Sequence, residues 1–170
     1  ILWNMVYVEG GTANLGDNNN YPVDVASFFI NRYEVSQDEW YVIMGENPSN
    51  QHRRNYPVDQ VNWYDTQRFT RKLSQLSGLP FRLPFEAEWE YAARGGLKTK
   101  NFIYAGSNNA EQVAWFREKY YNTYVSKETG TKKPNELGLY DMSGNVYEWC
   151  MDWYDRKVPF TGNIAPVISE

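Results

Sequence analysis

The sequence predicts a single α+β domain over residues 1–170, and three observations predict it. Short runs near the N-terminus alternate as strands do, three helical stretches in the middle carry recognisable caps, and residues 104–131 show little periodicity of either kind. The helices do not alternate with strands as βαβ units require, so a parallel α/β sheet is set aside. Met5–Val8 alternates and reads as a strand, ended by the Gly10-Gly11 turn. Residues 12–16 return as a second strand and residues 17–20 form a polar loop. Residues 25–35 read as a further strand, with Phe28, Phe29, Ile30 and Tyr33 as its large side chains. Ser36-Gln37-Asp38-Glu39 is a capping box that opens a helix running to Met44, with Gly45 as its stop. Asn62 caps the next helix, Trp63–Ser77, and Asp65 favours its N-terminal dipole. Phe69, Leu73 and Leu76 fall at i, i+4, i+7 and mark its apolar stripe. A third helix spans residues 86–94, with Trp89, Ala92 and Ala93 facing inward and Gly95-Gly96 ending it.

Composition narrows the function classes. The chain has 170 residues, enough for one domain with a core of its own. Seven Trp and fourteen Tyr predict an aromatic core that takes polar atoms inside with it. Mean hydropathy is −0.70 and no apolar run approaches the ~20 residues that cross a bilayer, so no membrane span is expected. Net charge is −4 with the signs interspersed, and no basic stripe marks a nucleic-acid partner. Cys150 is the only cysteine and His52 the only histidine, so a zinc centre of the Cys/His type and an internal disulfide are both excluded. A Ser-His-Asp triad would have to use His52 inside a Gln-His-Arg-Arg loop.

Five runs, in order, carry a family resemblance. They are Met5-Val6-Tyr7-Val8-Glu9-Gly10-Gly11-Thr12 with Gly16 following, and Phe28-Phe29-Ile30-Asn31-Arg32-Tyr33-Glu34-Val35-Ser36. Next come Tyr56-Pro57-Val58-Asp59-Gln60-Val61-Asn62-Trp63-Tyr64-Asp65 and the stretch from Arg82-Leu83-Pro84-Phe85-Glu86-Ala87-Glu88-Trp89 to Gly96. The last runs from Pro134-Asn135-Glu136-Leu137-Gly138-Leu139 through Asp141-Met142-Ser143-Gly144-Asn145-Val146-Tyr147-Glu148-Trp149. Together they resemble the formylglycine-generating-enzyme, or sulfatase-modifying factor, family. That resemblance implies a variant of the C-type lectin fold, with short helices, short antiparallel strands and long ordered loops. It also implies copper-dependent oxidation of a sulfatase cysteine to formylglycine, using a cysteine pair that follows an Arg-Gly-Gly-Ser motif. This sequence reaches Glu170 without that motif, so the domain is expected to be C-terminally incomplete relative to the family. No catalytic residue carries over and copper is not expected, because copper(I) thiolate ligation needs more than one sulfur. Phe85 stands where the family has Thr, which removes a helix cap at a cost of about 1 kcal/mol unless the ring packs.

Residues 141–148 form the strongest candidate site. Two carboxylates bracket a Ser-Gly-Asn turn, and calcium takes six to eight oxygens from such groups. The resemblance implies calcium held by side chains of Asp141 and Glu148 and by carbonyls of Gly144 and Val146. The alternative is a metal-free turn in which Asp141 caps and Glu148 bonds backbone amides. Glu86, Glu88 and Glu90 read as helix N-terminal charge paired with Arg82 or Arg94 rather than as an acid–base pair. Trp149 and Trp153, with Tyr147 and Tyr154 nearby, read as core packing over a sugar-stacking surface. Cys150 reads as a small hydrophobe rather than a reactive thiol.

Two principal functions follow. One is a non-catalytic module that binds calcium and an unknown protein or glycan ligand. The other is the family's oxidase with its catalytic segment outside this chain. A surface lectin is a third reading. A calcium site suggests a bacterial envelope, periplasmic or secreted location. In the family the N-terminal strand pairs with the chain's end. Met5–Val8 therefore needs a partner from residues 164–168, from another chain, or from residues beyond those given.

Overall fold

The computed structural model describes residues 4–16, 21–116 and 125–154. Four strands form two antiparallel pairs: β1 (Met5–Val8) with β4 (Phe28–Asn31), and β2 (Gly11–Leu15) with β3 (Tyr21–Val25). The helices follow as α1 (Gln37–Met44), α2 (Trp63–Ser77), α3 (Glu86–Ala93) and the short α4 (Ala110–Val113), with a 3-10 turn at Gly96–Lys98. Helices and short antiparallel strands joined by long ordered loops make this an α+β domain.

The run expected as one strand over residues 25–35 is two elements. Residues 21–25 pair with β2, and residues 28–31 pair with β1, Met5 opposite Asn31 and Val8 opposite Phe28. The switch happens at Ala26-Ser27, where the Ser27 hydroxyl takes the Gly10 amide. Gly10 packs so closely on residues 25–27 that a Cβ there would meet the Val25 carbonyl. β1 therefore has a partner within the domain, and Val8 is fully buried. The expected pairing with residues 164–168 lies outside the described residues.

The helix caps form as their sequences dictate. Ser36 Oγ accepts the Glu39 amide and the Glu39 carboxylate takes the Ser36 amide, while Asn62 and Asp65 do the same for α2. Gly45 and Gly78 end these helices in the left-handed region. At α3 the missing side-chain cap is replaced from a distance. Asp152 Oδ1 accepts the Glu86 amide at 2.9 Å, Glu88 accepts the Phe85 amide at 2.9 Å, and the Arg82 guanidinium lies 4.9 Å from the Phe85 ring centroid. Glu88 and Glu90 pair with Arg82 and Arg94, and Glu90 also takes the Gly16 amide, tying α3 to the end of β2.

Two apolar clusters hold these elements. The larger joins Val8, Leu15, Val25, Tyr91, Ala92 and Leu139, so α3 seals the strands against the 137–142 segment. The smaller is Trp40, Phe69 and Leu73, with the Trp40 and Phe69 rings stacked at 4.8 Å. Leu76, expected on the inner stripe, is 66% exposed. Trp89 is half-buried against the core, and Tyr91 takes the innermost place. Tyr147, Trp149, Trp153 and Tyr154 are all exposed, which corrects their reading as core residues.

Asn135 is the polar pin of the larger cluster. Its amide donates to the Ala92 and Ala93 carbonyls at the end of α3, and its oxygen accepts the Leu137 and Leu139 amides. Replacing Asn135 with Ala leaves the Ala93 carbonyl and the Leu137 and Leu139 amides without this partner, while the Ala92 carbonyl keeps the Gly95 amide. Denaturant unfolding of Asn135→Ala should show a loss of about 2–4 kcal/mol. A loss under about 0.5 kcal/mol would contradict this role.

Candidate functional site

The turn at residues 141–146 has a strained backbone held by side chains from distant parts of the chain. Asp141, Gly144 and Asn145 all adopt positive φ, at 57°, 98° and 59°. Gly144 pairs with Trp115 through an isolated parallel bridge, and a Cβ there would strike the Trp115 carbonyl, so the approach requires glycine. Asn145 and Asp141 are non-glycine residues in the left-handed region, a conformation that persists only where surrounding bonds fix it.

Those bonds converge on Asn145, which is 5% exposed. Its backbone amide donates to the Trp115 carbonyl at 2.8 Å. Its side-chain oxygen accepts the Lys127 amide, and its Nδ2 donates to the Lys127 carbonyl and to Glu34 Oε2 at 2.6 Å. Glu34 Oε1 accepts the Val146 amide at 3.2 Å. Glu34 is thus a buried carboxyl, one turn of chain past β4, with both oxygens accepting bonds from the 145–146 turn.

The electrostatics are those of crowded acids. Burial pushes Glu34 up to about 9, helped by the charges of Glu148 and Asp141 and opposed by the Asn145 and Val146 bonds. Asp141 is raised by burial, against the pull of the Gly130 amide. Glu148 is raised to about 7 by the protein packed around it, with Asp141 adding to the rise. The Trp89 indole N–H pulls Glu148 the other way but falls short of hydrogen-bond geometry. The Glu148 side chain is nonetheless open to solvent, and that water moderates its shift. Among the described residues, no Lys or Arg pairs with Glu34, Asp141 or Glu148.

Asp141 makes the fit for a cation explicit. Its Oδ2 accepts the Gly130 amide at 2.7 Å, but its Oδ1 is buried with no hydrogen-bond partner among the described residues. An orphaned, buried carboxylate oxygen beside two other acids is what a hard cation would complete. The arrangement also contains part of the metal-free alternative, since Asp141 does cap a backbone amide. The other half is missing, because Glu148 accepts no backbone amide among the described residues. Among the described residues, no group of three or more His, Cys, Asp or Glu side chains is gathered at metal-holding distance. Any ion would therefore draw on Asp141 and Glu148 together with carbonyls of Gly144 and Val146 and with water.

Glu34 and Asn145 escaped the reading of the sequence as site residues. The available signal was a lone acid in Tyr33-Glu34-Val35 between a strand and a capping box, flanked by apolar residues. Cys150 is half-buried, and its thiol is pushed up to about 12 by burial and by Asp152, Glu148, Glu86 and Glu88. That environment is the reverse of one that activates a thiolate. His52 lies exposed on its loop, and no serine joins it in a triad among the described residues.

Beside this turn opens a cleft of about 620 Å³ with mostly apolar walls. β4, the Trp40–Phe69 stack, residues 79–84 of the α2–α3 connection and residues 146–149 line it. Glu34 and Glu148 sit in its wall.

Comparison with known proteins places this architecture. The FGE-sulfatase family, described as the sulfatase-modifying factor enzyme 1-like domain, matches residues 2–165. The Chaperone protein LppX of Paenibacillus barcinonensis is 35% identical, over 89% of this chain and 72% of its own length. The formylglycine-generating enzyme of Streptomyces coelicolor is 36% identical over 60% of this chain, which spans 34% of that enzyme. Among solved structures, CarF superposes with a TM-score of 0.78 at 28% identity, covering 91% of this chain and 82% of its own. With the family matched over nearly all of its length, this chain belongs to the sulfatase-modifying factor enzyme 1-like domain family.

Proposed function

We propose that this domain is a non-catalytic binding module of the sulfatase-modifying factor scaffold, with a calcium ion at the 141–148 turn as its structural clamp. The observation that carries the calcium is Asp141 Oδ1, buried beside two other carboxyls and, among the described residues, without a hydrogen-bond partner. Calcium would supply the positive charge these acids lack and hold the strained turn, with Asp141 and Glu148 as carboxylate ligands and the Gly144 and Val146 carbonyls completing the set. The binding role draws support from the relative named a chaperone, which shares more of its length with this chain than the oxidase does. An extracytoplasmic setting, in the bacterial envelope or outside the cell, fits a site whose ion is abundant there.

The oxidase reading has one observation in its favour, the 36% identity to a formylglycine-generating enzyme. It requires a cysteine pair, and this sequence holds one cysteine.

Saturating calcium should raise the melting temperature over a chelator control by on the order of 5–10 °C, as binding at about a hundred times Kd stabilises by about 2.7 kcal/mol. Asp141→Ala should abolish the shift, and Glu148→Gln, which keeps the side-chain shape, should reduce it sharply. An unchanged midpoint in the parent protein would remove calcium from the account. Incubation with copper(I), oxygen and a Cys-x-Pro-x-Arg peptide should leave the peptide mass unaltered. Formation of the aldehyde product would establish the oxidase instead.

A further inference from the structure

Two buried polar atoms near the acidic turn have no hydrogen-bond partner among the described residues. One is Asp141 Oδ1 on the turn itself, and the other is the indole Nε1 of Trp89 on α3. The Asp141 oxygen is an acceptor, which a cation can complete. The indole nitrogen only donates, so no cation can satisfy it. The Trp89 ring packs against the larger apolar cluster, and turning its N–H out to solvent would pull the ring from that core. The acceptor beside it is the Glu148 side chain, near enough for the indole to favour the ionised carboxylate, though no hydrogen bond is formed. Among the described residues Glu148 accepts no other hydrogen bond and pairs with no Lys or Arg. A buried donor without an acceptor thus stands beside a carboxylate without a donor.

Both partners are placed from outside the turn. Asp152 and the Arg82–Glu88 pair fix the first turn of α3, and Glu90 ties the helix to the Gly16 amide. The main chain leaving Glu148 is stitched to the same region residue by residue. Trp149 Nε1 donates to the Val61 carbonyl at 3.1 Å, Trp63 Nε1 donates to the Cys150 carbonyl at 2.9 Å, and the Met151 amide donates to the Pro84 carbonyl at 2.8 Å. What these bonds leave unfixed is the Glu148 side chain, which is open to solvent. A carboxylate free to change rotamer pays that entropy when it ligates, and a donor that sets its direction beforehand removes the cost.

We infer that Trp89 is a positioning residue for the calcium clamp, its indole N–H donating to one Glu148 oxygen and leaving the other to ligate. This rests on the calcium reading of the preceding subsection and names a residue beyond the four ligands given there. Trp89 touches no ion and acts through Glu148 alone. The same bond gives the buried N–H the partner it lacks, so closing it and loading the turn favour each other.

The test reads calcium affinity and the indole N–H separately, on the full chain. Replacing Trp89 with 3-benzothienylalanine keeps the shape of the ring system and puts sulfur where the N–H stands. Calorimetric titration with calcium should show this variant binding about tenfold more weakly than the parent, or worse, as loss of a partner behind a metal ligand does at other sites. In the parent protein with nitrogen-15 in its tryptophans, the Trp89 Nε1–H signal is assigned by its absence from Trp89→Phe. It should move downfield and exchange more slowly with solvent on calcium addition. The Trp40 indole N–H, also buried and unpaired among the described residues, should stay where it is. This second measurement needs no folded variant for its readout. Benzothienyl affinity within about threefold of the parent, or a Trp89 signal that calcium does not move, would overturn the inference and leave the calcium clamp standing. Absence of calcium binding by the parent protein would overturn both.

Discussion

The fold turns on the bond between Asn145 and Glu34, two buried side chains 111 residues apart in sequence. Asn145 holds a left-handed backbone in place while serving three partners: Glu34 beyond β4, the Lys127 peptide and the Trp115 carbonyl. Only an amide side chain both donates and accepts in this way. Aspartate would lose the donor to Glu34 and add a fourth acid. Leucine would leave a carboxyl, an amide and a carbonyl unpaired in a dry place. Through this one residue the strand region, the loop before residue 130 and the acidic turn share a register. Gly144 allows it by letting the turn come against Trp115.

The same bond explains why the acids gather. Glu34 is needed to receive Asn145 and Val146, yet its burial beside Asp141 and Glu148 costs free energy whenever more than one of the three is ionised. A scaffold that keeps three carboxyls together, with no Lys or Arg pairing with them among the described residues, has two ways to offset that cost, a proton or a cation. Protons serve Glu34, whose two acceptor bonds nevertheless have the geometry of an ionised group. A divalent ion at the turn, as proposed above, would reconcile the geometry with the charge, because it would favour the ionised form that those bonds already match.

Much of this was legible in the sequence, for local reasons. The capping boxes at Ser36 and Asn62 and the stops at Gly45 and Gly78 formed as read, because each depends on residues within four positions of one another. The errors share a cause in long-range packing. Residues 25–35 looked like one strand, but the strand partner changes at Ser27, where Gly10 from another turn closes in. The cap of α3 was read as lost at Phe85, and Asp152, 66 positions away from Glu86, restores it. Leu76 matched the apolar period of α2 but has nothing above it. The candidate turn was found because its residues are contiguous. Its anchors, Glu34 and the Trp115 carbonyl, come from elsewhere in the chain and left no local pattern to find.

The aromatic residues show how a polar composition and an open cleft fit together. Fourteen Tyr and seven Trp suggested a core built of rings, yet the two described clusters bury only Trp40, Phe69 and Tyr91 among their aromatics. Tyr7 and Phe29 pack on each other at 5.3 Å on an exposed strand face, and Trp149 reaches Val61 with its indole N–H while staying half open. Rings with one apolar face and a polar edge tolerate that position at little cost, which aliphatic side chains of the same area would not. A domain whose three main helices are eight to fifteen residues long cannot enclose all its rings, so the surplus stays at the surface. Part of that surplus, Tyr147 and Trp149, lies along the apolar cleft beside the acidic turn, so exposed ring area and carboxylate charge meet at one place on the surface.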